Sequence, residues 1–333
     1  KKETQKDPYD WDLIRRDHWA FRPISNPEPP KVKATSWPKN DIDRFILARI
    51  EAQGLKPNEA ADKRTLIRRA YMDLIGLPPT PEQVNAFLKD DSANAFAKVV
   101  DELLESKHYG ERWARHWLDV ARYSDGLGGF GNGALVNAWR YRDWVVESLN
   151  EDMPYDEFVK QQIAGDVLKE NGDPVATGFF AVGPTYKSDG GAMEAILQAK
   201  AETLSDRVDT FSRAFLGLTV ACARCHDHKF DPITTKDYYA IAGVFGNSPV
   251  GEFSLAEAKE MTIYQEGQKK INEAKKTRDA YKKEVREAAK KAGRPLSAEE
   301  TKRSKDLDDA LAKFTKAAPA KYAFAHVILE RGK

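Results

Sequence analysis

The two cysteines of this chain are Cys222 and Cys225, and His226 follows the second directly, in the run Cys-Ala-Arg-Cys-His. At this spacing two thioether bonds can join a porphyrin's vinyl groups while the adjoining imidazole is forced beneath the iron. It predicts one covalent c-type haem, held by Cys222 and Cys225, with His226 as an axial iron ligand. Other chemistries need other surroundings. A thioredoxin-like redox pair would follow a strand and open a helix, whereas this motif follows the helical run Phe211, Phe215, Leu218. A zinc site would draw on Cys222, Cys225, His226 and His228, but Cys225 and His226 are direct neighbours, a tight geometry for a single ion. A pair of purely structural cysteines is the remaining alternative.

A second axial ligand must come from elsewhere, or the position stays open. His116 is the candidate distal ligand or catalytic base, in the strongly helical stretch 113–120, against an equal case for a hydrogen-bonded structural histidine. His228 lies two residues past the proximal ligand, so reaching the opposite haem face is sterically difficult. It fits the haem edge better, or an orienting role toward Asp231 or a propionate, which makes His228 and Asp231 further candidates for proton transfer. Downstream of the motif only Met261 could supply a thioether, at the edge of a charged helical region, so the small methionine-ligated cytochrome c fold is not expected.

Upstream, Trp113, Trp117, Trp139 and Trp144 are mixed with Arg115, Asp119 and Arg140. Tryptophan faces stack on sugar rings while Arg and Asp bond hydroxyls, so Trp113, Trp117, Arg115, Asp119, Trp139 and Arg140 form a candidate substrate wall for a carbohydrate-like compound. A salt-bridge ladder at helical spacing (Arg115, Asp119, Arg122) and plain Arg–Trp packing explain the same residues without a ligand. The glycine-rich run 126–133 has no strand before it and no Gly-Lys-Ser/Thr after it, so it is no phosphate loop and reads as a mobile loop or lid.

The elements that must position these residues are helical. Ile42, Phe45, Ile46 and Ile50 recur at helical spacing and stop at Gly54; Leu66, Ile67, Ala70 and Leu74 repeat the pattern up to Gly76. Thr80-Pro81-Glu82-Gln83 reads as N-cap, proline at the first helical position and capping-box glutamine. Phe96, Val99, Val100, Leu103 and Leu104 mark another helix, and 175–182 is the one weak strand candidate. The predicted fold is mainly α: a multi-helix haem-binding domain over 41–254 with an inserted antiparallel helical hairpin, a coiled coil, over 255–319. Gly293-Arg294-Pro295 breaks the hairpin and Ser297 with Glu300 restarts it. Residues 1–40 read as an extended segment or linker, and 320–333 as the start of a following domain.

The 53 basic and 52 acidic residues nearly cancel, to a net charge of +1, which argues against a nucleic-acid binder. No apolar run approaches the ~20 residues of a membrane span. Haem attachment of this kind places the protein in the periplasm or another extracytoplasmic space; the chain opens at Lys1 with no signal peptide, so an export signal is expected outside it.

Six long, ordered runs carry a family resemblance: 18–23 (HWAFRP), 73–84, 109–125, 138–158, 161–166 and 222–233 (CARCHDHKFDPI). Over roughly 18–250 the chain resembles the central domain, of unknown function, of the large planctomycete-type cytochrome c proteins. The glycine-rich 126–133 departs from the family pattern, where a more polar segment is expected. The resemblance implies an exported protein whose domain follows a single-haem domain and precedes another. Proteins of this kind are often encoded beside sulfatases and polysaccharide-degrading enzymes, so the resemblance further implies oxidation of sugars or related compounds, with electrons passed through haem to a partner cytochrome or to other domains of the same polypeptide. Two alternatives are an electron-transfer cytochrome without substrate chemistry and a sugar-binding or scaffold module whose haem is structural.

Overall fold

In the computed structural model, which describes residues 11–126, 133–168, 170, 172–188 and 190–329, helix boundaries follow the local chemistry of the sequence. Asn40, Asp62, Thr80, Thr234 and Ser297 each accept a backbone N–H of the helix they open. Each satisfies one of the donors that a helix start leaves unpaired. At Thr80, Thr234 and Ser297 the third helical residue bonds back to the cap, so the predicted capping boxes at Thr80 and Ser297 are formed. Gly54 and Gly76 lie just past helix ends at φ +68° and +70°, the left-handed conformation that L side chains resist.

The protein is mainly α, with twelve α-helices and one two-stranded sheet among the described residues. In chain order they are α1 (Trp11–Asp17), α2 (Asp41–Ala52), α3 (Lys63–Leu74), α4 (Pro81–Lys89), α5 (Ala95–Leu104), α6 (Lys107–Ala121), α7 (Ala138–Asn150), α8 (Tyr155–Ala164), α9 (Met193–Phe211), α10 (Thr235–Phe245), β1 (Val250–Ser254), α11 (Ala258–Lys291), α12 (Ala298–Ala317) and β2 (Phe324–Ile328). They divide into two compact units, one of 1–120, 145–153 and 190–246, the other of 121–144, 154–189 and 247–333.

In the first unit, one core joins α3, α4 and α5 through Ile67, Ala70, Tyr71, Phe87, Ala95 and Leu103. A second joins α9 and α10 to the 3-10 turn Val220–Arg224, through Val208, Val220, Ala223, Ile233, Tyr238 and Ala242. The start of α6 packs tightly against the end of α7: a Cβ on Gly110 would lie 2.4 Å from the Val146 carbonyl oxygen. The apolar stripe of α2 does not bury as its spacing suggests. Leu47 is fully covered, whereas Ile42 is 70 % exposed and Phe45 and Ile46 are also exposed. Helical periodicity selects a face but not the neighbour that covers it.

In the second unit, Tyr141, Trp144 and Phe158 stack in sequence, and Phe179, Val182, Phe324, Ala325 and Val327 are buried as well. The strand candidate 175–182 is a correction. Pro174–Phe180 is a 3-10 helix capped by Asp173, which accepts the Val175 N–H, and Thr177 bonds back to the Pro174 carbonyl. Successive residues Ala176 to Phe180 are all buried, which removes the alternation that distinguishes a strand. β1 and β2 pair antiparallel, Val250 opposite Ile328 and Ser254 opposite Phe324, so residues from the segment predicted to open a next domain pair with β1. α11 and α12 run antiparallel, with Lys282 bridging to Asp308 at 2.7 Å and Arg294 to Glu300 at 2.8 Å beside the turn. Arg294 and the Ser297 N–H hold the Glu300 carboxyl down at about 2.

Candidate functional site

The register of one short helix places the two cysteines. A 3-10 helix repeats every ~3 residues, so positions i and i+3 share a side. In Val220–Arg224, Val220 and Ala223 take the buried side, against Val208 and Tyr238. Cys222 and Cys225, also three apart, are both free and exposed. The apolar pair therefore decides that both thiols face outward. A π-helical turn, Ser212–Leu216, then Gly217 at φ +65°, redirects the chain from α9 into this segment.

His226 is exposed, and its Nδ1 lies 2.7 Å from the backbone carbonyl oxygen of Asp227. A carbonyl only accepts, so Nδ1 carries the hydrogen and Nε2 presents its lone pair outward. This is the arrangement a histidine adopts as a metal ligand, with the second nitrogen donating to a carbonyl that orients the ring. Asp227 is held in turn by its carboxylate, whose Oδ1 accepts the Thr235 N–H at 2.7 Å, at the first turn of α10.

His228, 6 % exposed, faces the other way. Its Nδ1 accepts the N–H of Asp231 at 2.8 Å and of Phe230 at 3.2 Å, which leaves the ring hydrogen on Nε2, 3.0 Å from the Thr219 hydroxyl. Asp231 Oδ2 stands 3.5 Å from the same Nδ1, but an Nδ1 engaged as acceptor carries no proton, so this approach is not an ion pair. Both nitrogens of His228 serve the protein, which suits positioning better than ligation or proton transfer.

The donor set therefore fits covalent haem: two outward thiols on one side of a turn and, next to them, an imidazole whose Nε2 is free among the described residues. Among the described residues no three His, Cys, Asp or Glu side chains converge as a metal site, and His228 is turned inward from Cys222, Cys225 and His226.

The other predicted residues lie on α6 and α7. His116 is exposed, and its partners are its own helix neighbours: Arg112, 3.5 Å from Nε2, and the Trp113 ring, edge-on at 5.4 Å. Arg115 and Asp119 form an exposed pair at 3.6 Å, of the kind that contributes little. Trp117 is 5.9 Å from Phe215, and Phe215 is 5.6 Å from Phe211, so aromatic packing ties α6 to the turn that precedes the motif. Trp139 and Arg140 belong to the second unit, where the guanidinium lies 4.5 Å over the indole. Residues 127–132 of the predicted lid lie outside the described residues; Gly126 and Ala134 bridge at its base.

Sequence reading missed two groups. Thr219 lies outside every motif run, and the Asp227 carbonyl is a backbone group that the run 222–233 does not single out. Tyr123 lies within the run 109–125, and its hydroxyl donates to Asp125 at 2.8 Å; burial first and then this carboxylate push its phenol up. Arg142, paired with Asp143 at 2.7 Å, adds to that cluster. A hollow of about 440 Å3 among α3, α4 and α5, lined by Ile67, Tyr71 and Phe87, includes none of the predicted residues.

The model of a family described as PSCyt2, protein of unknown function (DUF1549), matches residues 41–249, within the span of the resemblance drawn from the motifs. No curated protein and no solved structure matches the chain.

Proposed function

The chain belongs to the PSCyt2 family (DUF1549), and on that footing we propose that it is an extracytoplasmic protein carrying one covalent c-type haem and acting as an oxidoreductase on carbohydrate-like compounds. The observation that carries the haem assignment is the hydrogen bond from His226 to Asp227, which leaves Nε2 free beside two outward thiols. Cys222 and Cys225 would hold the group through thioethers, and His226 would be its proximal ligand. When bound, haem supplies one-electron redox chemistry. The residues of the chain do the rest. Asp227 orients the proximal ring, and α10 anchors Asp227 through Thr235. His116 is the candidate distal ligand or base. Trp113, Trp117, Arg115 and Asp119 on α6 are candidate sugar contacts in the first unit; Trp139 and Arg140 on α7 are separate candidates in the second.

A second reading, an electron-transfer subunit without substrate chemistry, draws on the exposure of the motif. Cys222, Cys225 and His226 are all exposed, and Phe230 is 77 % exposed. A haem seated there would present an edge to a partner cytochrome or to another domain.

Maturation of the full chain by haem-ligation machinery tests both. Intact mass should rise by one haem, and a Soret band should appear. No added mass and no Soret band would end the haem reading. Anaerobic incubation with a panel of neutral and sulfated sugars separates the rest: reduction of the haem by a sugar supports the oxidoreductase, and reduction only by a reduced cytochrome supports electron transfer.

A further inference from the structure

The loop that carries His226 is closed by its neighbour-but-one. The His228 N–H donates to the Ile233 carbonyl at 2.8 Å, and its ring takes the N–H groups of Phe230 and Asp231 on one nitrogen and reaches Thr219 with the other. Thr219 precedes the 3-10 turn that bears the cysteines, and Asp231 follows the motif, so one buried imidazole ties the two sides of the loop together. Between His226 and His228 stands Asp227, whose carbonyl receives the His226 hydrogen and whose carboxylate is fixed to α10. The direction of that carbonyl is therefore set from both flanks, by the His228 ring and by Thr235.

We propose that His228, acting through Thr219, is the positioning residue that holds His226 as the Nδ1–H tautomer with Nε2 free. The inference deepens the haem reading, but its first consequence appears without haem. Two links follow. A donor to a carbonyl makes the imidazole a stronger base at its free nitrogen. Loosening the clamp tilts the Asp227 carbonyl, weakens that bond and lets the ring sample its other tautomer. In a haem-loaded protein the same loosening weakens donation from His226 and raises the reduction potential.

The test uses the full chain and three variants: T219V, which removes the hydroxyl and keeps the shape; H228F, which removes all three ring hydrogen bonds; and H228Q, whose amide can restore one acceptor and one donor. In the haem-free protein, nitrogen NMR of His226 should show the Nδ1–H tautomer in the wild type, a mixture in T219V and H228F, and partial recovery in H228Q. In the matured protein, T219V and H228F should keep covalent haem and raise the midpoint potential. Two results overturn the proposal. One is a wild-type His226 tautomer and potential in both T219V and H228F with only the melting temperature lowered, which marks His228 as a packing residue. The other is loss of an axial-histidine signature in H228F but not in T219V, which makes His228 itself a ligand. Failure of the wild type to take up haem would end the haem reading yet leave the tautomer measurement to decide the clamp. T219V guards against a folding defect in H228F.

Discussion

His226 and Asp227 are joined twice, by the peptide bond and by the 2.7 Å hydrogen bond from the imidazole Nδ1 to the Asp227 carbonyl oxygen. The ring orientation therefore depends on a backbone group that no substitution at Asp227 removes. The Asp227 side chain fixes the same residue from its other flank, accepting the Thr235 N–H. D227A should lower stability by about 1.5–3 kcal/mol, the range for a hydrogen bond to a charged group. D227N, which keeps an acceptor oxygen, should lose less. Urea unfolding of the three proteins measures the order; equal midpoints for D227A and wild type would remove α10 as the anchor.

The two thiols are equivalent in exposure but not in position, since Cys222 lies within the 3-10 turn and Cys225 is its cap. The double variant C222A/C225A is expected to mature with no covalent haem while its circular dichroism stays helical, because neither sulfur fills the core. A collapse of the helical signal would mean that the cysteines are structural.

Gly110 marks a close helix approach in the first unit. An added Cβ would meet the Val146 carbonyl oxygen at 2.4 Å and Asn150 Oδ1 at 2.6 Å, the latter already accepting the Gly110 N–H at 2.7 Å. Backbone cannot retreat as a flexible side chain can, so G110A should cost about 1–3 kcal/mol as overpacking, despite the better helix propensity of alanine. A thermal melt at or above the wild-type temperature would contradict the close approach.

In the second unit the Tyr141 hydroxyl donates to Gln162 Oε1 at 2.7 Å, with Tyr141 2 % and Gln162 0 % exposed. Y141F deletes the donor and keeps the ring that stacks on Trp144. The buried amide oxygen loses a partner, a loss worth about 1–3 kcal/mol. Chemical denaturation should show a lower midpoint with an unchanged slope; an unchanged midpoint would show that the amide is satisfied without Tyr141.

His326 on β2 accepts the Asn137 N–H through Nε2, and burial holds its pKa below the ordinary 6.5. Below pH 6.5 the unfolded chain therefore binds the proton before the folded one does. The sign is that of a group buried neutral: its contribution is complete above pH 6.5 and is lost as pH falls through the lower native value. Unfolding measured from pH 7.5 down to 5 should show stability falling more in the wild type than in H326Q, which does not titrate. An NMR midpoint for His326 at or above 6.5 would refute the assignment.

Much of the architecture was legible locally. Caps at Thr80 and Ser297, the glycine stops at 54 and 76, and the stripe around Ile67 all depend on interactions within a few residues, and they stand where the spacing places them. The strand reading of 175–182 fails because it rests on hydrophobicity, which reports a tendency to be covered without naming the cover. The run is a largely buried 3-10 helix, whereas the helix marked by Ile42, Phe45, Ile46 and Ile50 forms as its spacing predicts, with Leu47 as its buried residue.

The site divides in the same way. Sequence by itself determined which atoms could do chemistry here: two thiols and an imidazole at a spacing that Cys222, Cys225 and His226 declare without reference to any other residue. Tertiary structure alone decided how those atoms are offered. Val220 and Ala223 turn the cysteines outward by taking the buried side of a 3-10 turn, and the Asp227 carbonyl selects the His226 tautomer. Thr219 and the backbone N–H groups of Phe230 and Asp231 turn His228 inward. Motifs record side-chain identity at fixed spacing, whereas these choices rest on packing partners and backbone groups that become neighbours only when the chain has folded.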